Sequence, residues 1–189
     1  MKEGRCIIFS APSGAGKTTI VRHLLDQDLG LRFSVSAATR KQRAYEMNGR
    51  DYHFMSEARF KELVEIGGFV EWEEVYPGHY YGTLRSEIER IWNEGHTPIF
   101  DVDVVGGLDL KAAFGENALA IFVRPPSMDV LEARLRERAT ESPENLQLRL
   151  AKAMHEMGYA DLFDVVLLND DLDRACAEAC DRVREFLSA

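Results

Sequence analysis

Several things are scarce in this chain, and each scarcity removes a class of protein. Cysteine occurs three times, as Cys6, Cys176 and Cys180. The count is odd and no C-x-x-C pair is present, so neither a disulfide framework nor a zinc site is indicated. Cys176 and Cys180 lie four apart in a helical pattern and share one face, which reads as small apolar packing in a reducing compartment. No apolar run approaches the roughly 20 residues that span a bilayer. The start, Met1-Lys2-Glu3-Gly4-Arg5, leads into only a short apolar stretch and does not read as a secretion signal. A cytoplasmic location is the expectation. Basic charge is also short, with 23 Lys and Arg against 32 Asp and Glu, a net charge of −9. Long-range repulsion then argues against a general nucleic-acid or membrane-surface binder. An anionic ligand needs a local basic pocket.

What is present suits one domain carrying small insertions: 189 residues, 46% hydrophobic and 29% charged. Short apolar runs at 5–10, 98–103, 119–123 and 165–168 read as strands of a parallel sheet covered on both faces. Helical patterns follow at about 17–28, 84–94, 127–139, 143–158 and 171–187, with Ser127 as a candidate cap. Alternation of this kind predicts an α/β fold with a doubly wound parallel core. Two stretches break the rhythm. Residues 33–83 are rich in Tyr, Arg, Glu and Gly around one helix near 56–66, and residues 126–158 are mostly helical and dense in Arg.

Residues 11–18 read Ala11-Pro12-Ser13-Gly14-Ala15-Gly16-Lys17-Thr18, between the first strand and a helix. That context makes a phosphate-binding loop (P-loop). Glycines let the backbone curl so that N–H groups face inward, and the helix adds its N-terminal dipole. Lys17 can reach the β- and γ-phosphates, and Thr18 can place a hydroxyl on Mg²⁺. Ala11 stands where the usual pattern begins with Gly. The loop alone says that a nucleoside triphosphate binds. It does not choose among ATPase, GTPase, kinase or switch.

A second anion site is indicated by Arg40, Lys41 and Arg43, since arginine forks suit the three oxygens of a terminal phosphate. Tyr52 and the segment Gly78-His79-Tyr80-Tyr81-Gly82-Thr83 offer phenol hydroxyls that complete such a cradle without adding charge. Glu71 has two acceptor oxygens, which match the adjacent N1–H and N2–H of guanine. The unprotonated N1 of adenine would repel it. Asp101 and Asp103 fall at the C-terminal end of a parallel strand, where ligands bind in open α/β sheets. Asp101 can hold a water of a Mg²⁺ shell, and Asp103 can reach the base.

With the P-loop, Ser36-x-x-x-Arg40-x-x-Arg43, the Tyr-Tyr-Gly-Thr segment, Asp101-Val102-Asp103 and Asn169-Asp170-Asp171 in order, the chain resembles the guanylate kinase family over residues 4–187. The resemblance implies a core at 1–32, 84–125 and 159–189, an inserted GMP-binding lobe at 33–83 and a helical lid at 126–158. It implies transfer of a phosphoryl group from ATP to GMP with Mg²⁺; no residue plainly reads the 2′-hydroxyl, which leaves dGMP open as a second acceptor. Ala11 to Thr18 and Asn169 would hold ATP. Ser36, Glu71, Thr83 and Asp103 would read guanine, while Arg40, Arg43, Tyr52 and Tyr81 would hold the GMP phosphate. Lys17, Arg40, Arg134, Arg138 and Arg149 would act on the transferring group, and Thr18 and Asp101 on the metal. Gln42, Glu137, Ala139 and a segment before Gly78 that is one residue longer than usual, at Tyr76-Pro77, depart from the family pattern. Two rivals stay open: a phosphopeptide-binding domain of the same fold, and a kinase of another phosphorylated metabolite.

Overall fold

The computed structural model describes residues 4–137 and 143–189. In chain order its first elements are β1 (Cys6–Ser10), α1 (Lys17–Leu25), β2 (Leu31–Phe33), β3 (Ala37–Ala38), β4 (His53–Phe54), α2 (Glu57–Glu65), β5 (Phe69–Tyr76) and β6 (His79–Leu84). There follow α3 (Arg85–Asn93), β7 (Thr97–Asp101), α4 (Val104–Phe114), β8 (Ala118–Arg124), α5 (Met128–Glu137), α6 (Pro143–Met157), β9 (Val165–Leu168) and α7 (Leu172–Ser188). Five strands form an all-parallel sheet in the order β2-β7-β1-β8-β9, and four form a second sheet, β4-β3-β6-β5. Among the described residues, no helix is long and apolar enough to cross a membrane.

β1 lies mid-sheet, and all its residues are buried. Side chains alternate across a strand, so Ile7 and Phe9 enter the core layer with Ile20, Leu24 and Val183. Cys6 and Ile8 enter the opposite layer with Phe100, Leu110, Phe122 and Phe163. Each such aliphatic or aromatic side chain contributes about 1.5–3 kcal/mol when fully buried. The three cysteines are free and buried, and Cys176 and Cys180 pack with Val183 in the first layer.

The expected helices and strands are present among the described residues, with ends shifted by a few residues where both ends are described; residues 138–139 of the helix expected over 127–139 lie outside them, and two elements appear that patterning missed. β2 is the sheet edge and pairs Phe33 with Ile99. At three residues it is too short to show a period. Helix α4 opens Val104-Val105-Gly106-Gly107, a run of poor helix formers. Tertiary fit overrides propensity there. A Cβ on Gly107 would lie 2.2 Å from Ser10 Oγ, and one on Gly106 would lie 3.3 Å from Glu71 Oε2. The strand expected over 98–103 therefore stops at Asp101, and Asp103 becomes the N-cap of α4, its Oδ1 accepting from the Gly106 N–H at 2.8 Å. Ser127 does cap α5, accepting from the Val130 N–H at 3.2 Å.

Candidate active site

The central sheet places the two key loops side by side. β1 and β7 are parallel neighbours, with Phe9 opposite Asp101, and the Val102 N–H donates to Phe9 O at 3.2 Å. The P-loop leaves the C-terminal end of β1, and Asp101-Val102-Asp103 leaves that of β7. Gly14 and Gly16 hold φ of 92° and 97°, a left-handed conformation that disfavours residues with a Cβ. Leu131 and Leu135 of α5 pack against the loop at Gly14.

Lys17 and Thr18 converge on Asp101. Lys17 Nζ is 2.6 Å from Asp101 Oδ1 and also donates to the Val102 carbonyl. Thr18 Oγ1 donates to Asp101 Oδ2 at 2.7 Å. A cavity of about 380 Å³ opens above, lined by P-loop residues with Tyr52, Asp101, Asp103, Arg149 and Lys152. A second cavity, of about 280 Å³, is lined by Ser36, Tyr52, Glu71, Glu73, Tyr81 and Asp103. The two share Tyr52, Asp101, Val102 and Asp103 as a common wall.

In the second cavity Glu71 on β5 faces Thr83 on β6, which donates its hydroxyl to Glu71 Oε1 at 2.5 Å. Burial, with the Asp103 and Asp109 carboxylates adding, pushes the Glu71 carboxyl up to about 7, against the pull of the Thr83 hydrogen bond. Gly82 lines the same cavity, and a Cβ there would approach the Glu71 carbonyl oxygen to 2.8 Å.

Arg40 differs from expectation. Its guanidinium is not an open fork. Glu46 takes two of its N–H bonds, at 2.6 and 2.7 Å, and the Lys41 carbonyl takes a third at 3.1 Å. Its Nε donates to the Tyr81 hydroxyl at 3.1 Å, so that hydroxyl keeps its own proton to donate onward. The Tyr52 ring lies against the same guanidinium, 5.0 Å from its centroid. This pairing holds the Glu46 carboxyl down at about 2. Arg43 lines a hollow with Thr18, Tyr52 and Asp101, and its side chain donates to the Tyr45 hydroxyl at 3.0 Å. Gln42, the departure between the two arginines, donates to the Glu46 carbonyl and so ties the same loop. The extra residue at Tyr76-Pro77 falls at the β5–β6 turn, where the strand register shifts between Glu74 and Tyr76.

Asn169 is 3% exposed and lies behind the P-loop, its Nδ2 donating to Ala15 O at 2.7 Å. Its Oδ1 is buried with no hydrogen-bond partner among the described residues. Arg134 donates to Asn169 O at 3.1 Å. Arg149 lines the P-loop cavity. Arg138, Ala139 and the residues up to 142 lie outside the described residues. Sequence reasoning missed Glu46, although its place three residues after Arg43 was the available signal. It also missed Ser10, which donates to Asp103 O at 2.9 Å, and the cleft-facing Glu73, Lys152 and Glu156.

Comparison with known proteins identifies the family. The family model described as guanylate kinase matches residues 3–188. A guanylate kinase of Bacteroides thetaiotaomicron is 48% identical over 185 residues, covering 98% of this chain and 91% of its own. One of Salinibacter ruber is 47% identical over 189 residues, covering 100% of both. Among solved structures, guanylate kinase from Anaplasma phagocytophilum superposes with a TM-score of 0.76 at 28% identity, covering 96% of this chain and 85% of that one. The chain belongs to the guanylate kinase family.

Proposed function

We propose that this protein transfers the γ-phosphoryl group of ATP to a phosphate oxygen of GMP, giving ADP and GDP. One observation carries the reading: two cavities share the wall Tyr52–Asp101–Val102–Asp103, with a P-loop on one side and Glu71 on the other. Residues 33–83 form the acceptor lobe and 126–158 the lid of this reading, and the rest forms the core. The second sheet, lying within Ala37–Leu84, and the α5–α6 pair support that division.

The acceptor oxygen is largely ionised at neutral pH, because the second phosphate pKa is about 6, so no general base is required. Catalysis is then positioning and charge neutralisation. The P-loop amides and Lys17 hold the triphosphate. Asn169 braces the loop from behind, and its unpartnered Oδ1 suits an adenine amino group. Ser36, Glu71, Thr83 and Asp103 read guanine, with Glu71 in its ionised form accepting from two base N–H groups. Arg43, Tyr52, the Tyr81 hydroxyl and the remaining N–H of Arg40 hold the GMP phosphate. Arg134, Arg138 and Arg149 meet the transferring group from the lid side. The Thr18 hydroxyl and the Asp101 carboxylate are hard oxygen donors 2.7 Å apart, the chemistry that suits Mg²⁺ held together with phosphate oxygens and water. When bound, Mg²⁺ neutralises charge on the β- and γ-phosphates. Three buried free thiols support a reducing, cytoplasmic setting.

ADP release from ATP with GMP, AMP, CMP and UMP as acceptors tests the proposal. GMP should be preferred over AMP by at least about 100-fold in kcat/KM, from the unmet hydrogen bonds at a buried carboxylate. Equal turnover of AMP would remove Glu71 from its assigned role.

A further inference from the structure

Glu87 is a buried carboxylate, 6% exposed, that the mechanism above does not use. It lies in the first turn of α3, four residues after Thr83, the partner of Glu71. Taking such a charge out of water is costly unless partners offset it, and its partners come from three segments. On its own helix, Arg90 donates from Nη2 to Oε1 at 2.9 Å and from Nε to Oε2 at 3.1 Å. From the chain between β2 and β3, the Val35 N–H donates to Oε1 at 3.4 Å. From β4, His53 Nε2 lies 3.6 Å from Oε2, an ion-pair rather than a hydrogen-bond distance. Burial pushes the Glu87 carboxyl up, but Arg90, the Val35 N–H and His53 outweigh it. They hold the group below the ordinary carboxylate value, so it is charged at neutral pH.

The two partners outside α3 both flank Ser36. The Ser34 N–H still donates to Ile99 O of the large sheet at 3.0 Å, and Ala37 already pairs with Gly82 in the small one. Val35 and Ser36 therefore cross between the sheets, and Glu87 fastens the first of them. The Ser36 carbonyl accepts from the His53 N–H at 2.9 Å, so the second partner grips the Ser36 backbone directly. Ser36 lines the acceptor cavity. β3 and β6 pair Ala37 with Gly82 and Ala38 with Tyr81, and one step back along that register Ser36 falls opposite Thr83, itself paired with Glu71 on β5. Three groups assigned to guanine thus stand in one row across the small sheet, and Glu87 holds the Ser36 end of it.

We propose that Glu87 is a positioning residue for guanine recognition: by holding Val35 and His53 it fixes the backbone of Ser36, and with it the Ser36 hydroxyl at the edge of the base. This rests on the GMP kinase reading above. Glu87 touches no substrate and acts through Ser36. A hydrogen bond from a short side chain tolerates little displacement of its backbone, so freeing this segment weakens GMP binding and leaves the triphosphate side unchanged.

Steady-state kinetics of the full chain test this, with Glu87→Ala, Glu87→Gln, Ser36→Ala and the Glu87→Ala, Ser36→Ala double variant. Wild-type turnover of GMP is measured first, and its absence would strike the GMP kinase reading rather than Glu87. Glu87→Ala should raise KM for GMP about tenfold, with kcat within about threefold and KM for ATP within about twofold of wild type. Ser36→Ala should raise KM for GMP at least as much. Glu87→Gln keeps an acceptor for the Val35 N–H and should recover all but about threefold. In the Ser36→Ala background, Glu87→Ala should cost less than about twofold more, because the hydroxyl it positions is gone. If Glu87→Ala does not fold, Glu87→Gln and His53→Ala serve in its place, each raising KM for GMP about threefold alone and adding almost nothing to Ser36→Ala. An unchanged KM for GMP would overturn the proposal. Equal rises in KM for GMP and ATP would also overturn it, by making Glu87 a support of the whole fold. So would losses that multiply in full in the double variant, which would mean that Glu87 acts elsewhere than through Ser36.

Discussion

Lys17 makes its two strongest contacts with its own protein, the Asp101 carboxylate and the Val102 carbonyl. Both partners sit where the sheet delivers them, so the ammonium is already aimed when a triphosphate arrives. Such preorganisation means that little of the binding energy goes into ordering the side chain. Lys17→Ala should therefore lower kcat by at least about 10³, the scale on which phosphoryl-transfer cations act, while GMP affinity changes less than about tenfold. Steady-state turnover together with calorimetric GMP titration separates the two. Equal loss of both would mean that the donor and acceptor cavities are assigned the wrong way round. Residue types at this scale were legible in the sequence, because a loop that binds phosphate needs small residues and a cation at fixed spacing. Their partners were not. Nothing in the spacing of Arg40 says that Glu46 occupies its fork, because that contact depends on how the loop folds back over six residues.

Among the helices α1 to α7, α4 is the one that sequence patterning missed, and it shapes the acceptor cavity. Its two glycines let the first turn lie against Ser10 of β1 and Glu71 of β5 at once. The Asp103 cap then fixes a carboxylate at the cavity wall. Long helices such as α7 are legible because their apolar face repeats over several turns. A helix begun by two valines and two glycines is settled by what it must approach, which is long-range information. Gly107→Ala should reduce stability by about 1–3 kcal/mol, because the added methyl would overlap the buried Ser10 hydroxyl. Urea denaturation measures this. The combined Gly107→Ala, Ser10→Ala variant should recover part of the loss, since removing the hydroxyl makes room. A Gly107→Ala protein as stable as wild type would mean that α4 shifts freely on the sheet, and the cavity wall would then not be fixed by it.

At the scale of the whole molecule, an acidic chain of net charge −9 binds two anionic nucleotides by confining its basic groups to a few loops and placing a buried carboxylate at the base. That carboxylate acts on the folding equilibrium. Glu71 titrates at about 7 in the folded protein, against an ordinary value of 4.5. Between those values the folded chain holds a proton that the unfolded chain has released, so this group's contribution to stability falls as pH rises from 4.5 past 7. Glu46 has the opposite sign. Its carboxyl is held at about 2 by Arg40, so its contribution is full above 4.5 and is lost as pH falls toward 2. Glu71→Gln removes only the first effect, and the Gln carbonyl can still accept from Thr83. The variant should match wild type in denaturant stability near pH 4 and exceed it by about 2–3 kcal/mol at pH 8. Its affinity for GMP should fall, because an amide places an N–H donor against one of the base N–H groups. A stability gap equal at both pH values would trace the change to packing, and would detach the ionised Glu71 from guanine selection. The gap opening with pH while affinity drops would mean that the fold accepts a destabilising charge at the one place where GMP brings donors to satisfy it.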